Sequence, residues 1–178
     1  HGNGGGPGSH VDLALALADA GYVVAAPAHA GDNFEDSSGL SSPNFWGNRN
    51  QELRATIDYV LSSWPGRSHI DPTRIGAFGF SAGGFTVLTA VGGHPDLRII
   101  PSHCATRPEF VCNVLRAANS PLVKDNAKAV DGFAADYRIR AVVLAAPGLG
   151  FTFSKGGLTN VAVPVQLWTG ENDSVTPH

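Results

Sequence analysis

Ser81 stands at the centre of Gly79-Phe80-Ser81-Ala82-Gly83, a G-x-S-x-G pentapeptide between two apolar runs, 75–80 and 84–90. A serine hydroxyl becomes a useful nucleophile when a base takes its proton. A sharp turn from strand into helix presents Oγ at a helix N-terminus, where backbone N–H groups favour an oxyanion. The glycines fit such a turn because side chains two residues either side of the serine would strike neighbouring backbone. In a chain with 22 glycines the pentapeptide alone also fits an ordinary turn with a small residue at the bend. Its flanks favour the catalytic reading, since strand, glycine turn and apolar helix are the arrangement this chemistry needs.

A base of this kind is a histidine, and it needs a carboxylate to hold its tautomer and stabilise the imidazolium. Asp173 is the candidate acid: it lies in Gly170-Glu171-Asn172-Asp173 after an apolar run, at the same end of a parallel sheet as Ser81. Glu171 is the fallback. The glycine-rich opening His1-Gly2-Asn3-Gly4 lets backbone approach a substrate carbonyl closely, so the N–H groups of Asn3 and Ala82 are the candidate oxyanion donors. A dinucleotide fingerprint fails at Pro7, and the chain has no P-loop lysine motif. Acyl transfer of this type needs no metal and no organic cofactor.

The elements that must position these groups follow from pattern. Ser9 caps a helix running to residue 20 with Gly21 as its stop, and 22–26 reads as a buried strand ended by Pro27. A polar loop then leads to a helix over about 48–64, in which Leu53, Ile57, Val60 and Leu61 recur at helical spacing. Residues 75–80 form a strand and 82–91 a buried helix. Residues 92–138 lack strand character and read as an insertion or lid of short helices, around 109–118 and 121–135, in front of which Phe45 and Trp46 line the acyl pocket or pack on the core. Residues 140–146 and 163–169 are strands, with a weak helix at 154–160. Alternation of strand and helix gives an α/β fold, a mostly parallel sheet with helices on both faces.

The 178 residues make one domain, with 43% hydrophobic and 15% charged residues and a net charge of −3. A buried core follows, and a nucleic-acid partner or a membrane span does not. A small-molecule ester is the partner this chemistry expects. Cys104 and Cys112 have seven residues between them. Bridged, they close a loop stabilising by about 2.5 kcal/mol and suit an extracytoplasmic setting; unbridged, they are two thiols in a reducing cell. A zinc site with His103 lacks a fourth ligand.

Taken together, His1-Gly2 with its glycine-rich continuation, Leu17 to Pro27, His29-Ala30-Gly31-Asp32-Asn33, the Ser81 pentapeptide and the Asp173 turn resemble α/β-hydrolases. The likeness is to the dienelactone hydrolase-like group, near the platelet-activating-factor acetylhydrolase-like serine esterases. The resemblance implies Ser81 as nucleophile, Asp173 as acid, backbone donors at Asn3 and Ala82, and a cysteine pair belonging to the insertion. It also implies an order of serine, acid, then histidine, with the histidine beyond a further helix and strand. His178, five residues after Asp173, is too near to fill that place. His29 is expected to brace its loop, while His10, His69, His94 and His103 fall in a helix start, turns or the insertion.

The fold so implied also has a strand between 22–26 and 75–80, whose loss would leave a gap of roughly 10 Å. The sequence therefore reads as an internal fragment of a longer hydrolase, lacking the first strands and the last helix, strand and histidine. Its sheet should be interrupted or rearranged. The expected activity is carboxylic-ester hydrolysis through an acyl-enzyme, with a serine peptidase or a catalytically silent binding domain as the alternatives.

Overall fold

The computed structural model describes residues 1–124 and 132–177. Three strands, β1 (Ile75–Phe80), β2 (Ile139–Ala145) and β3 (Val165–Trp168), form a parallel sheet in the order β1-β2-β3. Phe80 pairs with Ala145, and Ala145 with Trp168, so the carboxyl ends of all three strands come level. Five α-helices accompany them among the described residues: α1 (Val11–Asp19), α2 (Phe45–Ser62), α3 (Ala82–Ala90), α4 (Ile100–Thr106) and α5 (Phe110–Ala117). The α/β class expected from the alternating pattern is what folds. None of these helices is long and apolar enough to cross a membrane.

The period-two pattern decides which strand residues meet which helix. Ile75, Ala77, Val142 and Leu144 face α3, where Val87, Ala90 and Val91 close an apolar layer with Ile57 of α2 beyond. On the opposite face, the His10 ring at the start of α1 packs edge-on against Phe78 and Phe80, at 5.1 and 5.3 Å. Helix α3 also has a second apolar side. Phe85, fully buried, meets Trp46 and Phe153 at ring distances of 5.1 and 5.4 Å, in a core shared with Leu97, Ile100, Leu115 and Leu122. With apolar partners on both sides, α3 is the buried spine of the molecule.

Several expectations are corrected. Residues 22–26 are apolar yet form no strand: they pair with no described strand and are exposed throughout. A buried parallel strand is held by ladders to its neighbours, and the described sheet ends at β1. Ser9 does not cap the α-helix, whose N-cap is His10; its hydroxyl instead accepts the Gly6 N–H at 2.9 Å in a short 3₁₀ turn. Helix α2 starts three residues earlier than expected, because Phe45 and Trp46 are drawn into the core, both 3% exposed. The weak helix at 154–160 is a single 3₁₀ turn, Gly156–Leu158. Of the helix expected over 121–135, Pro121–Val123 is a 3₁₀ turn and 132–135 is not helical, while 125–131 lie outside the described residues.

The segment between α3 and β2 contains α4 and α5 and, among its described residues, no strand. Cys104 of α4 and Cys112 of α5 form a disulfide, both sulfurs inside the Phe85 core. Replacing both cysteines by alanine is expected to lower unfolding free energy by about 2.5 kcal/mol through released chain entropy, read as a drop in urea midpoint. An unchanged midpoint would mean that the Phe85 core alone fixes α4 against α5.

Candidate active site

One residue, Ser81, separates the end of β1 from the start of α3. Its backbone is left-handed, φ 53° and ψ −118°, a conformation that costs a non-glycine residue on the order of 1–3 kcal/mol. The turn is held from three sides. Ser81 N–H donates to the Ala145 carbonyl at 3.0 Å, and the Ser81 carbonyl accepts from Phe85 and Gly148 N–H at 3.2 and 2.9 Å. The reversal also presses β1 on α3: a Cβ on Gly79 would overlap the Gly83 carbonyl, and one on Gly83 would lie 2.8 Å from the His1 carbonyl oxygen. Only glycine fits at either place. Ala82, 3% exposed, is the first residue of α3, so its N–H has no acceptor within the helix.

The glycine-rich loop over residues 1–6 lies across this turn. A turn bond joins Gly5 N–H to the Gly2 carbonyl at 3.1 Å. Asp32, on the loop after 22–26, receives Asn3 Nδ2–H at 2.6 Å and Gly4 N–H at 2.7 Å on one carboxylate oxygen. Its other oxygen pairs with the Arg49 guanidinium of α2. Arg49 also donates to the His1 carbonyl at 2.6 Å and to Thr86 Oγ1 of α3 at 3.0 Å. Asp32 is 0% exposed and Arg49 1%, so loop, α2 and α3 meet through a fully desolvated ion pair.

Asn3, Ser81 and Ala82 line a common cavity of about 30 Å³, whose apolar wall includes Leu40, Trp46, Val114 and Leu149. Trp46 faces it, with Phe45 packed edge-on against Trp46 at 4.8 Å. Helix α5 adds Phe110 and Val111, so the segment expected as an insertion supplies part of the wall. Val175 and Thr176 line the same cavity, which places the Asp173 turn beside the serine. Asp173, half-buried, accepts Val175 and Thr176 N–H at 2.8 and 2.9 Å and the Thr176 hydroxyl at 2.5 Å. Glu171 is exposed in that turn.

Among the described residues no histidine hydrogen-bonds Ser81 Oγ, and His178 lies outside them. His29 braces its loop as expected: it is 3% exposed, its Nδ1 lies 2.6 Å from Glu52, and its N–H donates to the His1 ring. His103 bonds Glu109 at 2.8 Å and stacks on Phe151 at 3.6 Å.

Two residues at this site, Asp32 and Arg49, have no role in the expectation from sequence, although Asp32 lies in one of the segments that carry the resemblance. Arg49 did leave a signal, because it lies at i, i+4 and i+8 with Leu53 and Ile57, a charge heading an apolar stripe. Such a charge has to be paired when its stripe is buried.

Burial pushes the His29 imidazole below its ordinary pKa, against the opposing hydrogen bond that its Nδ1–H donates to Glu52. The native state therefore binds fewer protons than the unfolded chain once the pH falls below about 6.5. Stability from this group is whole above that value and is lost on descending through the native pKa. The urea midpoint is expected to drop between about pH 7.5 and pH 5.5, and less steeply in His29→Gln. An identical slope in that variant would show that His29 does not carry the effect.

The model of the prolyl oligopeptidase family matches residues 9–99, which span α1, α2, β1, the Ser81 turn and α3. No curated protein and no solved structure matches the chain. That family is of the α/β-hydrolase type, in agreement with the parallel sheet, the strand-to-helix turn at a serine and the cavity beside it. The chain belongs to the prolyl oligopeptidase family of serine hydrolases.

Proposed function

We propose that the chain is a carboxylic-ester hydrolase working through an acyl-enzyme at Ser81. The observation that carries this reading is the left-handed serine between β1 and α3, sharing one cavity with Asn3, Ala82 and the Asp173 loop. Ser81 Oγ attacks the ester carbonyl carbon while its proton passes to a histidine held by Asp173, a role that no described histidine fills. The Ala82 and Asn3 N–H groups receive the oxyanion. Collapse of the tetrahedral intermediate expels the alcohol, which takes the proton from the imidazolium, and water then releases the acid by the same steps in reverse.

Cavity size bears on the acyl group. A single water needs roughly 10–15 Å³ of such space, so about 30 Å³ beside Ser81 suits a short apolar acyl chain. The likeness to dienelactone hydrolase-like and platelet-activating-factor acetylhydrolase-like esterases supports ester hydrolysis, with the α4–α5 segment as the lid. The family match supports a second reading, a serine peptidase on the same fold, with the cavity receiving a small side chain.

A fluorophosphonate probe should label the protein at Ser81, and Ser81→Ala should abolish labelling. Two-carbon acyl p-nitrophenyl esters are expected to be hydrolysed faster than eight-carbon ones by about 100-fold, each buried methylene beyond the cavity having to displace packed side chains. Turnover of peptide anilides in preference to these esters would favour the peptidase. Folded protein that resists the probe would refute the hydrolase assignment for this chain.

A further inference from the structure

The loop over residues 1–6 brings backbone close to Ser81 because it is mostly glycine. For the same reason it has little with which to hold itself. Glycine loses more conformational freedom on ordering than any other residue, and Gly2, Gly4, Gly5 and Gly6 offer no side chain to pack. An oxyanion donor has to stand within a few tenths of an ångström of its place before the reaction starts. Something outside the loop must fix it.

The contacts of Asp32 and Arg49 supply that fixation. Asp32 takes the Asn3 side-chain amide and the Gly4 N–H on one oxygen, which grips the loop at the Asn3 side chain and at the Asn3–Gly4 peptide. Arg49 takes the carbonyl of His1, two residues before Asn3, and with its Nε ties the grip to Thr86. Thr86 in turn donates to the Ala82 carbonyl at 2.9 Å, in the first turn of α3. The chain of contacts thus runs from one candidate oxyanion donor to the other through two buried charges. A second link, Phe34 N–H to the Gly5 carbonyl at 3.1 Å, joins the Asp32 loop to the same segment.

Stability alone is a poor reason for this pair. Desolvating two charges offsets much of their attraction, and apolar side chains of similar volume often serve as well. What apolar side chains cannot do is bond two backbone groups and an amide in a glycine loop. Lysine cannot either, since three separated acceptors call for the planar fork of a guanidinium.

We propose that Asp32 and Arg49 are positioning residues, holding the Asn3 N–H in register with the Ala82 N–H. This rests on the hydrolase reading given above. Neither residue touches the substrate; both act through the loop.

The test compares full-chain wild type with Arg49→Lys, Asn3→Ala and Ile57→Ala, each checked for folding by circular dichroism. It reads the second-order rate of fluorophosphonate labelling and, on a short acyl ester, kcat and KM separately. Arg49→Lys keeps the charge opposite Asp32 but loses the fork, and should slow labelling and kcat by at least about tenfold with KM little changed. Asn3→Ala removes only the side-chain bond to Asp32 and should slow both by about threefold or more. Ile57→Ala destabilises α2 in its sheet-side apolar layer without reaching the loop, and its folded protein should react at the wild-type rate. Folded Arg49→Lys reacting like wild type would overturn the proposal. Should that variant not fold, an unimpaired Asn3→Ala overturns it and an impaired one supports it. An equal loss in Ile57→Ala would reduce the pair to a structural role. Wild type that resists labelling would instead defeat the hydrolase reading, and the positioning role with it.

Discussion

The molecule is organised around one backbone constraint, the reversal from β1 into α3 within a single residue. Ser81 adopts φ 53°, a region L-residues avoid, and remains there because its N–H is fixed by β2 and its carbonyl by α3 and by Gly148. The strain of roughly 1–3 kcal/mol is small beside what burying α3 yields, since single core side chains such as Phe85 are worth several kcal/mol. The same reversal sets Gly79 against Gly83 and Gly83 against His1, which is why the glycines are required and why the opening loop can lie so close.

Because α3 is buried on both sides, it transmits that geometry in two directions. Toward the sheet, Val87, Ala90 and Val91 lock it to β1 and β2. Away from the sheet, Phe85 and Ala82 join the core that includes the disulfide-linked α4 and α5. The cavity lies where that second core, the glycine loop and the loop after β3 converge. Polar contacts do the same work where packing cannot: the Asp32–Arg49 pair ties a loop without apolar side chains to two helices that have them.

How much of this was legible in the sequence depended on whether the signal was local. β1, the turn and α3 were readable to within a residue, because Gly79, Gly83 and the apolar runs on either side are contiguous. β2 and β3 followed from short apolar runs bounded by turn residues. Residues 22–26 have the same composition as a buried strand, yet being a strand depends on a pairing partner, which composition does not report. The start of α2 was displaced because Phe45 and Trp46 enter a core whose other half lies at positions 97–122. Asp32 was inside a quoted motif, but its role depends on Asn3 and Arg49, 29 and 17 residues away, and only the folded chain brings them together. Arg49 on the stripe of Leu53 and Ile57 was the one readable hint.

The proposed chemistry needs Ser81 presented as a nucleophile with its oxyanion donors already in place. A crystal structure of the protein after reaction with a small fluorophosphonate tests it most directly. Phosphorus should be bonded to Ser81 Oγ, with a phosphoryl oxygen within about 2.7–3.1 Å of both the Ala82 and Asn3 nitrogens and the loop over 1–6 unmoved. Phosphorus on another residue, or a phosphoryl oxygen turned away from those two nitrogens, would contradict it.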